Sequence, residues 1–186
     1  VKKLSILKMG NALDENSDIG AIISEEQLKR TLYYMDIAKK NPSTKILHGG
    51  NQSKGGDYKD GFYYEPTLLS GLPVSSPVCQ EEVFGPVACA IPFKSFDEVM
   101  KSANDTQFGL SAVLWTKDLS RALQFVDEIE AGFVQVNQCV APRANVSYGG
   151  IKMSGLGKEY AFDSMMNHFT QSKTVLINRG KSNIDN

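Results

Sequence analysis

The stretch SAVLWTKDLSRALQFVDEIEAGFVQV, residues 111–136, holds two short apolar segments with a helical pattern between them. Residues 111–116 and 133–136 have the composition of strands. Asp118 is a good N-cap for the intervening helix, and Gly132 is its expected end. This stretch therefore predicts a strand, a helix and a second strand in succession.

The same alternation begins upstream, where an apolar run at 87–93 precedes a capping box at 95–98 that opens another helix. The chain thus predicts a β-α-β-α-β unit from residue 87 to residue 136. Such alternation is typical of an α/β fold with a parallel sheet covered by helices. Ligands of these sheets bind beyond the carboxyl ends of the strands, where Asn137 and Gln138 lie.

The first part of the chain predicts a helix, a loop and a strand. A capping box formed by Ser24 and Gln27 opens a helical pattern, which stops at 41–42, an Asn-Pro pair. Residues 48–61 are dense in Gly, Asp and Lys and indicate a surface loop. The apolar segments on either side of Pro66 fit a strand at an edge, or one that is interrupted near an edge.

Composition excludes several classes of protein. The 186 residues are 41% hydrophobic, enough to bury a core, and the formal net charge of -1 lacks the basic excess of a nucleic-acid-binding protein. No apolar run approaches the roughly 20 residues that span a bilayer, so no membrane partner is expected. The first residues are too polar for a secretory signal, and we expect a cytoplasmic protein.

Cys79, Cys89 and Cys139 show no CxxC spacing, which indicates neither a disulfide framework nor a zinc site. Each is interpreted as a small buried hydrophobic residue. His48 and His168 are distant from all of them in sequence, so no activated Cys-His pair is indicated.

The glycine-rich segment 147–159 matches neither phosphate-binding motif. Leu156 occupies the position of the P-loop lysine, and Tyr160 replaces the third glycine of a dinucleotide fingerprint. We interpret the segment as a turn that packs closely on another backbone before a helix that begins near Lys158.

The segment QEEVFGPV, residues 80–87, places two carboxylates before an aromatic residue and a Gly-Pro pair. Glu is a poor strand former and Gly-Pro ends regular structure, so this segment predicts a loop. Considered alone, it is most simply an acidic loop in solvent.

Four segments together resemble the aldehyde dehydrogenase superfamily, in the right order along the chain: residues 80–87, 103–110, 131–137 and 148–155. The resemblance implies a parallel-sheet β-α-β-α-β catalytic domain with a C-terminal oligomerisation strand. It also implies oxidation of an aldehyde to a carboxylic acid with NAD or NADP.

The resemblance assigns cofactor contacts to particular residues. Glu82 is similar to the family's glutamate that accepts hydrogen bonds from the nicotinamide ribose, and Phe84 resembles the aromatic residue beside the nicotinamide. Gln27 and Arg30 match polar positions that can reach the ribose groups, although Gln27 is equally explained as a capping residue. Glu81 has no comparable role and is interpreted as solvated.

The resemblance places the catalytic cysteine, the oxyanion site and the base glutamate upstream of Val1, together with most of the cofactor-binding domain. The chain is therefore expected to be a C-terminal fragment, inactive alone, with no catalytic residue and no metal ligand of its own. Residues 1–169 would belong to the catalytic domain, and 170–186 would form an oligomerisation strand and tail. A homodimer or homotetramer is implied for the complete enzyme.

Residues near the substrate are implied in the loop after Asn137. Arg143 would select an anionic aldehyde or would lie in solvent, and Tyr148 would form an aromatic wall; neither identifies the substrate. A second hypothesis is a noncatalytic interaction module that pairs through a strand at 173–178. A cysteine and a Rossmann domain in the upstream reading frame would favour the enzyme over the module.

Overall fold

The computed structural model describes residues 1–177. The chain divides after Ser102 into two compact units. Each unit is described by itself below. None of the helices in the described part of the chain is long and apolar enough to cross a membrane.

The first unit is built around a long amphipathic helix, α1 (Glu25–Lys40). The Ser24 hydroxyl accepts a hydrogen bond from the backbone N–H of Gln27 at 3.1 Å, which confirms the predicted N-cap. Two glutamates lie in the first turn and two lysines in the last, where the helix dipole favours each charge. The helix ends before Asn41, as predicted.

The other elements of this unit are short. They are β1 (Lys45–His48), β2 (Gln52–Ser53), β3 (Tyr63–Tyr64), β4 (Thr67–Ser70), α2 (Pro77–Gln80), β5 (Val87–Ala90) and α3 (Phe96–Asn104). A three-stranded sheet has the order β1-β4-β5, in which β4 is antiparallel to β1 and parallel to β5. The strands β2 and β3 form an antiparallel pair, so the predicted loop at 48–61 contains a short strand and a 3-10 turn, Gly56–Tyr58.

The core of the first unit joins α1 to the sheet and to the loop after α2. Its buried residues are Leu28, Tyr34, Met35, Ala38, Tyr64, Leu69, Leu72, Val78 and Val83. Full burial of a large apolar side chain contributes about 1.5–3 kcal/mol, so these contacts hold α1 firmly on the sheet. Val83 and the partly buried Val87 belong to the QEEVFGPV segment, which the core therefore anchors at both positions.

The second unit begins at Ala103 and contains a parallel strand pair crossed by a helix. Its elements are β6 (Phe108–Gly109), β7 (Ser111–Leu114), α4 (Leu119–Glu128), β8 (Phe133–Val136), β9 (Ile151–Lys152) and α5 (Phe162–Phe169). The strands β7 and β8 pair in parallel, from Ser111 opposite Phe133 to Leu114 opposite Val136. The strands β6 and β9 pair antiparallel.

The predicted α/β class and the order of strands and helices are confirmed, with two parallel pairs, β4–β5 and β7–β8. The strand β5 belongs to the sheet of the first unit and pairs with β4. Of the two interpretations of the segments around Pro66, the edge strand is wrong, because β4 is the central strand of its sheet. The alternative of an interruption fits better, because β3 and β4 are separate strands on either side of Pro66. Pro66 lies just before β4, where its missing N–H removes no ladder bond.

Two helix boundaries differ from the prediction. The helix α4 ends at Glu128 rather than near Gly132, and the N–H of Ile129 closes it on the Phe125 carbonyl. Gly132 instead allows its backbone to lie close to that of Gly149, because a β-carbon at residue 132 would collide with the Gly149 carbonyl oxygen. The helix α5 begins at Phe162 rather than near Lys158.

The predicted C-terminal strand is only partly within the described residues. Residues 171–177 have no regular secondary structure, and Asn178 lies outside the described range. The oligomerisation strand and the domain boundary at 169/170 stay predictions.

We expect Gly71→Ala to destabilise the first unit far more than Gly56→Ala. Both glycines have positive φ, +80° and +54°, so both substitutions carry the same kind of backbone cost. A β-carbon at Gly71 would also collide with the Ser43 carbonyl oxygen, whereas nothing lies within 4 Å of one at Gly56. The difference in unfolding free energy should be about 2 kcal/mol or more by urea titration. Equal effects would contradict the close approach of Gly71 and Ser43.

Candidate functional site

One face of α1 binds the loop formed by residues 81–85. Gln27, Arg30 and Tyr34 lie three and four residues apart, so their side chains leave the helix on the same side. In the QEEVFGPV segment Gln80 ends α2 and Val87 begins β5, and residues 81–86 between them form a loop, as predicted. Gln27 and Arg30 contact the backbone of this loop, and Tyr34 contacts the Glu81 side chain.

Two of these side chains hold three consecutive carbonyl groups. The Gln27 amide donates to the carbonyl oxygens of Val83 at 2.9 Å and Phe84 at 2.8 Å. The Arg30 guanidinium donates twice to the carbonyl oxygen of Glu82, at 2.7 and 3.2 Å. The loop backbone is therefore fixed against α1 by donors rather than by regular structure.

Tyr34 completes this contact by donating its hydroxyl to the Glu81 carboxylate at 2.7 Å. The hydrogen bond to Glu81 and then burial raise the pKa of Tyr34, because both favour the neutral phenol. The Arg30 guanidinium also lies 5.5 Å from the centre of the Tyr34 ring. The interpretation of Glu81 as merely solvated is wrong: its side chain is exposed, yet it has a defined partner.

The loop turns sharply at Phe84, whose φ of 53° is unusual for an aromatic residue. Gly85 follows, and a β-carbon there would lie 2.5 Å from the Thr31 hydroxyl oxygen on α1. The loop thus approaches α1 too closely for any other residue at that position. The turn leaves the Phe84 ring 70% exposed.

The Glu82 carboxylate is exposed and accepts no hydrogen bond from the residues that the structure describes. Only the backbone carbonyl of Glu82 is bound, by Arg30. The loop therefore presents a free carboxylate and a free aromatic ring from a fixed backbone. This pair suits a ligand that carries adjacent hydroxyl groups and a flat ring.

Among the predicted cofactor residues, the structure brings Gln27 and Arg30 together with Glu82 and Phe84. The donors of Gln27 and Arg30 are directed to the loop carbonyls. The capping interpretation of Gln27 applies to its backbone N–H, which donates to Ser24, while its side chain reaches the loop. Direct contact of Gln27 or Arg30 with a cofactor stays a prediction.

The second unit carries the two residues predicted to line a substrate pocket. The Tyr148 ring packs edge-on against Phe133, with centroids 5.2 Å apart, and against Tyr160 at 6.0 Å. Its backbone exchanges two hydrogen bonds with Glu159. The Tyr148 ring is thus half-buried among other aromatic rings, whereas Arg143 is exposed on the same loop. Their roles in a substrate pocket stay predictions.

Sequence reasoning located Asn137 at the end of a strand, but it missed Gln135 and the contacts that both side chains make. Gln135 is buried within β8 and accepts a hydrogen bond from the Val140 N–H at 2.9 Å. Asn137 binds both the N–H and the carbonyl of Thr116, at 2.8 and 2.7 Å. The signal for Gln135 is an amide in the centre of an apolar strand, which must find a partner once buried.

Comparison with known proteins identifies the family of the chain. The model of the aldehyde dehydrogenase family matches residues 1–175. The chain belongs to the aldehyde dehydrogenase family. The resemblance read from four short segments is thereby confirmed.

Three relatives illustrate the match. An aldehyde dehydrogenase of Rhodospirillum rubrum is 38% identical over 175 residues, which are 94% of this chain and 34% of that protein. An acetaldehyde dehydrogenase of Pseudomonas aeruginosa is 37% identical, over 95% of this chain and 35% of the relative. The crystal structure of betaine aldehyde dehydrogenase from Staphylococcus aureus in complex with NAD+ has a TM-score of 0.83 and 32% identity, and the match covers 90% of this chain and 33% of that one. The chain spans about a third of the length of these relatives.

We expect Tyr34→Phe to lower the free energy of unfolding by about 1–2 kcal/mol, because it removes a hydrogen bond to a carboxylate. Tyr33→Phe is the matched control, since Tyr33 is exposed and contacts Tyr34 through its ring. The pKa of Tyr34 is raised in the folded chain. The contribution of this hydrogen bond to the free energy of unfolding is therefore complete below the ordinary tyrosine pKa of about 10, and it is lost as pH rises through the folded pKa. Urea titrations at neutral and strongly alkaline pH measure this. Equal stability of the two variants at neutral pH would count against the Tyr34–Glu81 bond.

Proposed function

We propose that this chain is part of an NAD(P)-dependent aldehyde dehydrogenase that oxidises an aldehyde to a carboxylic acid. The observation that carries the proposal is the loop at 81–85, which presents a free Glu82 carboxylate and an exposed Phe84 ring from a backbone bound to α1. The NAD+ complex of the related betaine aldehyde dehydrogenase supports the choice of cofactor class.

Glu82 would hold the nicotinamide ribose, because its two oxygens can accept hydrogen bonds from two adjacent hydroxyl groups. Phe84 would pack on one face of the nicotinamide, so that the other face is open to the reacting carbon. The cofactor, when bound, supplies the acceptor for the hydride. Gln27 and Arg30 would keep the loop in place beneath these contacts.

The covalent chemistry needs a cysteine thiolate, which forms a thiohemiacetal and then a thioester, and a glutamate base that promotes hydrolysis. We place both, with most of the cofactor-binding domain, in the part of the family's length that this chain does not match. Cys139 is not proposed as this nucleophile, since it lies in the loop that precedes Tyr148.

The substrate is proposed to be a small-molecule aldehyde, with Tyr148 as an aromatic wall and Arg143 as a candidate contact for an anionic group. Relatives named for acetaldehyde and for betaine aldehyde show that the family's substrates differ in charge and size. We propose a cytoplasmic homodimer or homotetramer for the complete enzyme, with no nucleic-acid or membrane partner.

The 186-residue chain alone should not reduce NAD or NADP in the presence of an aldehyde. The reason is that neither the proposed nucleophile nor the proposed base belongs to it. Absorbance of the reduced cofactor, followed over hours with several aldehydes, measures this. Sustained turnover by the purified chain would refute the proposed division of roles.

In the complete enzyme, Glu82→Gln should slow hydride transfer by about tenfold to a hundredfold while the protein stays folded. An amide has one acceptor oxygen, and loss of one charge-assisted hydrogen bond costs about 1.5–3 kcal/mol. Single-turnover formation of the reduced cofactor separates this step from cofactor release.

The matched control for this variant is Glu81→Gln. It removes the same charge one residue away and leaves an oxygen to accept the Tyr34 hydroxyl. Its single-turnover rate should stay close to that of the parent enzyme. If the rate for Glu82→Gln were unchanged at saturating cofactor, Glu82 would not bind the ribose and would be only an acidic residue in solvent.

A further inference from the structure

Two of the three cysteines flank the loop that presents Glu82 and Phe84. Cys79 lies in α2 and Cys89 lies in β5, so residues 80–88 are the chain between them. Both side chains are half-buried, which differs from Cys139, whose side chain is exposed. The sequence interpretation treated all three as separate buried residues and gave no reason for two of them to meet.

The fold brings the two thiols together. Along β5, Val87 and Cys89 turn inward while Ala88 and Ala90 are exposed. Cys79 and Cys89 both pack against the core of the first unit. The Cys89 sulfur lies 4.0 Å from the carbonyl oxygen of Val78, the residue before Cys79, so the two cysteines are neighbours in the fold.

We propose that Cys79 and Cys89 form a site of reversible oxidation, in which a disulfide joins α2 to β5 around the loop 80–88. A disulfide has an S–S bond of about 2.05 Å, so the two neighbouring sulfur atoms must approach each other as the bond forms. The co-reactant is a small disulfide such as oxidised glutathione. The role is independent of the chemistry proposed for Glu82.

The step is a pair of thiol–disulfide exchanges. The first protein thiolate attacks the small disulfide and releases one thiol, and the second attacks the mixed disulfide and releases another. One protein S–S bond forms, one S–S bond of the oxidant breaks, and the two protein thiols give their protons to the two released thiols. The protein loses two electrons and the small disulfide gains them.

The environment assigns an order to the two thiols. Burial raises the pKa of both, that of Cys89 to about 12, because a thiolate is poorly solvated there. The hydrogen bond from Cys89 opposes this increase for Cys79. Cys79 is therefore the attacking thiol and Cys89 the resolving one, and the reaction is slow at neutral pH.

The disulfide restrains the same loop that the proposed function uses. If the function is as proposed, oxidation of this pair acts directly on the backbone that carries Glu82 and Phe84. The disulfide can be tested in the chain alone, with no cofactor, so that failure of one proposal is distinguishable from failure of the other.

The test uses the intact chain in glutathione buffers of increasing disulfide content, followed by alkylation of free thiols and digestion with trypsin. No Lys or Arg lies between residues 60 and 93, so both cysteines remain in one peptide, 60–94. We expect this peptide to lack two hydrogen atoms and to carry no alkyl group. Cleavage of the denatured peptide after Glu81 or Glu82 should leave pieces that separate only on reduction.

Exposed Cys139 serves as the internal comparison, because it should take up glutathione in the same sample. The Cys89→Ser variant should retain glutathione on Cys79, whereas Cys79→Ser should leave Cys89 largely unmodified. The equilibrium constant for the disulfide should be at least about tenfold greater in the native chain than in urea, since the fold holds the thiols together. The proposal is overturned if peptide 60–94 carries two alkylated thiols, or two glutathione adducts, when Cys139 is fully modified. It is also overturned if urea leaves the equilibrium constant for the disulfide unchanged.

Discussion

The hydrogen bonds from α1 to the carbonyl groups of Glu82, Val83 and Phe84 are the interaction on which the candidate site depends. Gln27 and Arg30 supply all four of them. These donors are in position because the Ser24 cap starts the helix in the correct register and because the buried face of α1 fixes its rotation on the sheet. A local cap thus determines, through one helix, where a loop more than fifty residues later is held.

The same bonds account for a backbone conformation that the loop would not adopt alone. A positive φ at Phe84 costs about 1–3 kcal/mol, and each hydrogen bond contributes about 0.5–1.5 kcal/mol net. The four bonds are therefore of the size needed to offset the strain. The result is a large aromatic side chain exposed to solvent at a fixed place, an arrangement that burial alone would not produce.

The sequence predicted the elements that are encoded locally. The caps at Ser24 and Asp118 and the alternating apolar segments located α1, α4 and the strands near them to within a few residues. It could not predict that β5 pairs with β4, because the residues of a short apolar strand do not specify which other strand it pairs with. Nor could it find the contacts of Gln27, whose acceptors are backbone carbonyls and have no signature in the sequence.

The geometry of the loop explains why two adjacent glutamates differ in role. Glu81 has an extended backbone, with φ −106° and ψ 156°, and successive side chains of extended chain point to opposite sides. The Tyr34 hydroxyl binds the Glu81 carboxylate, whereas the carboxylate of Glu82 is exposed and has no bonded partner among the described residues. Val83 then returns to the core, and Phe84 is again exposed. The Tyr34–Glu81 bond and the burial of Val83 thus fix the backbone on both sides of Glu82, and the positive φ of Phe84 turns the chain so that its ring is exposed as well.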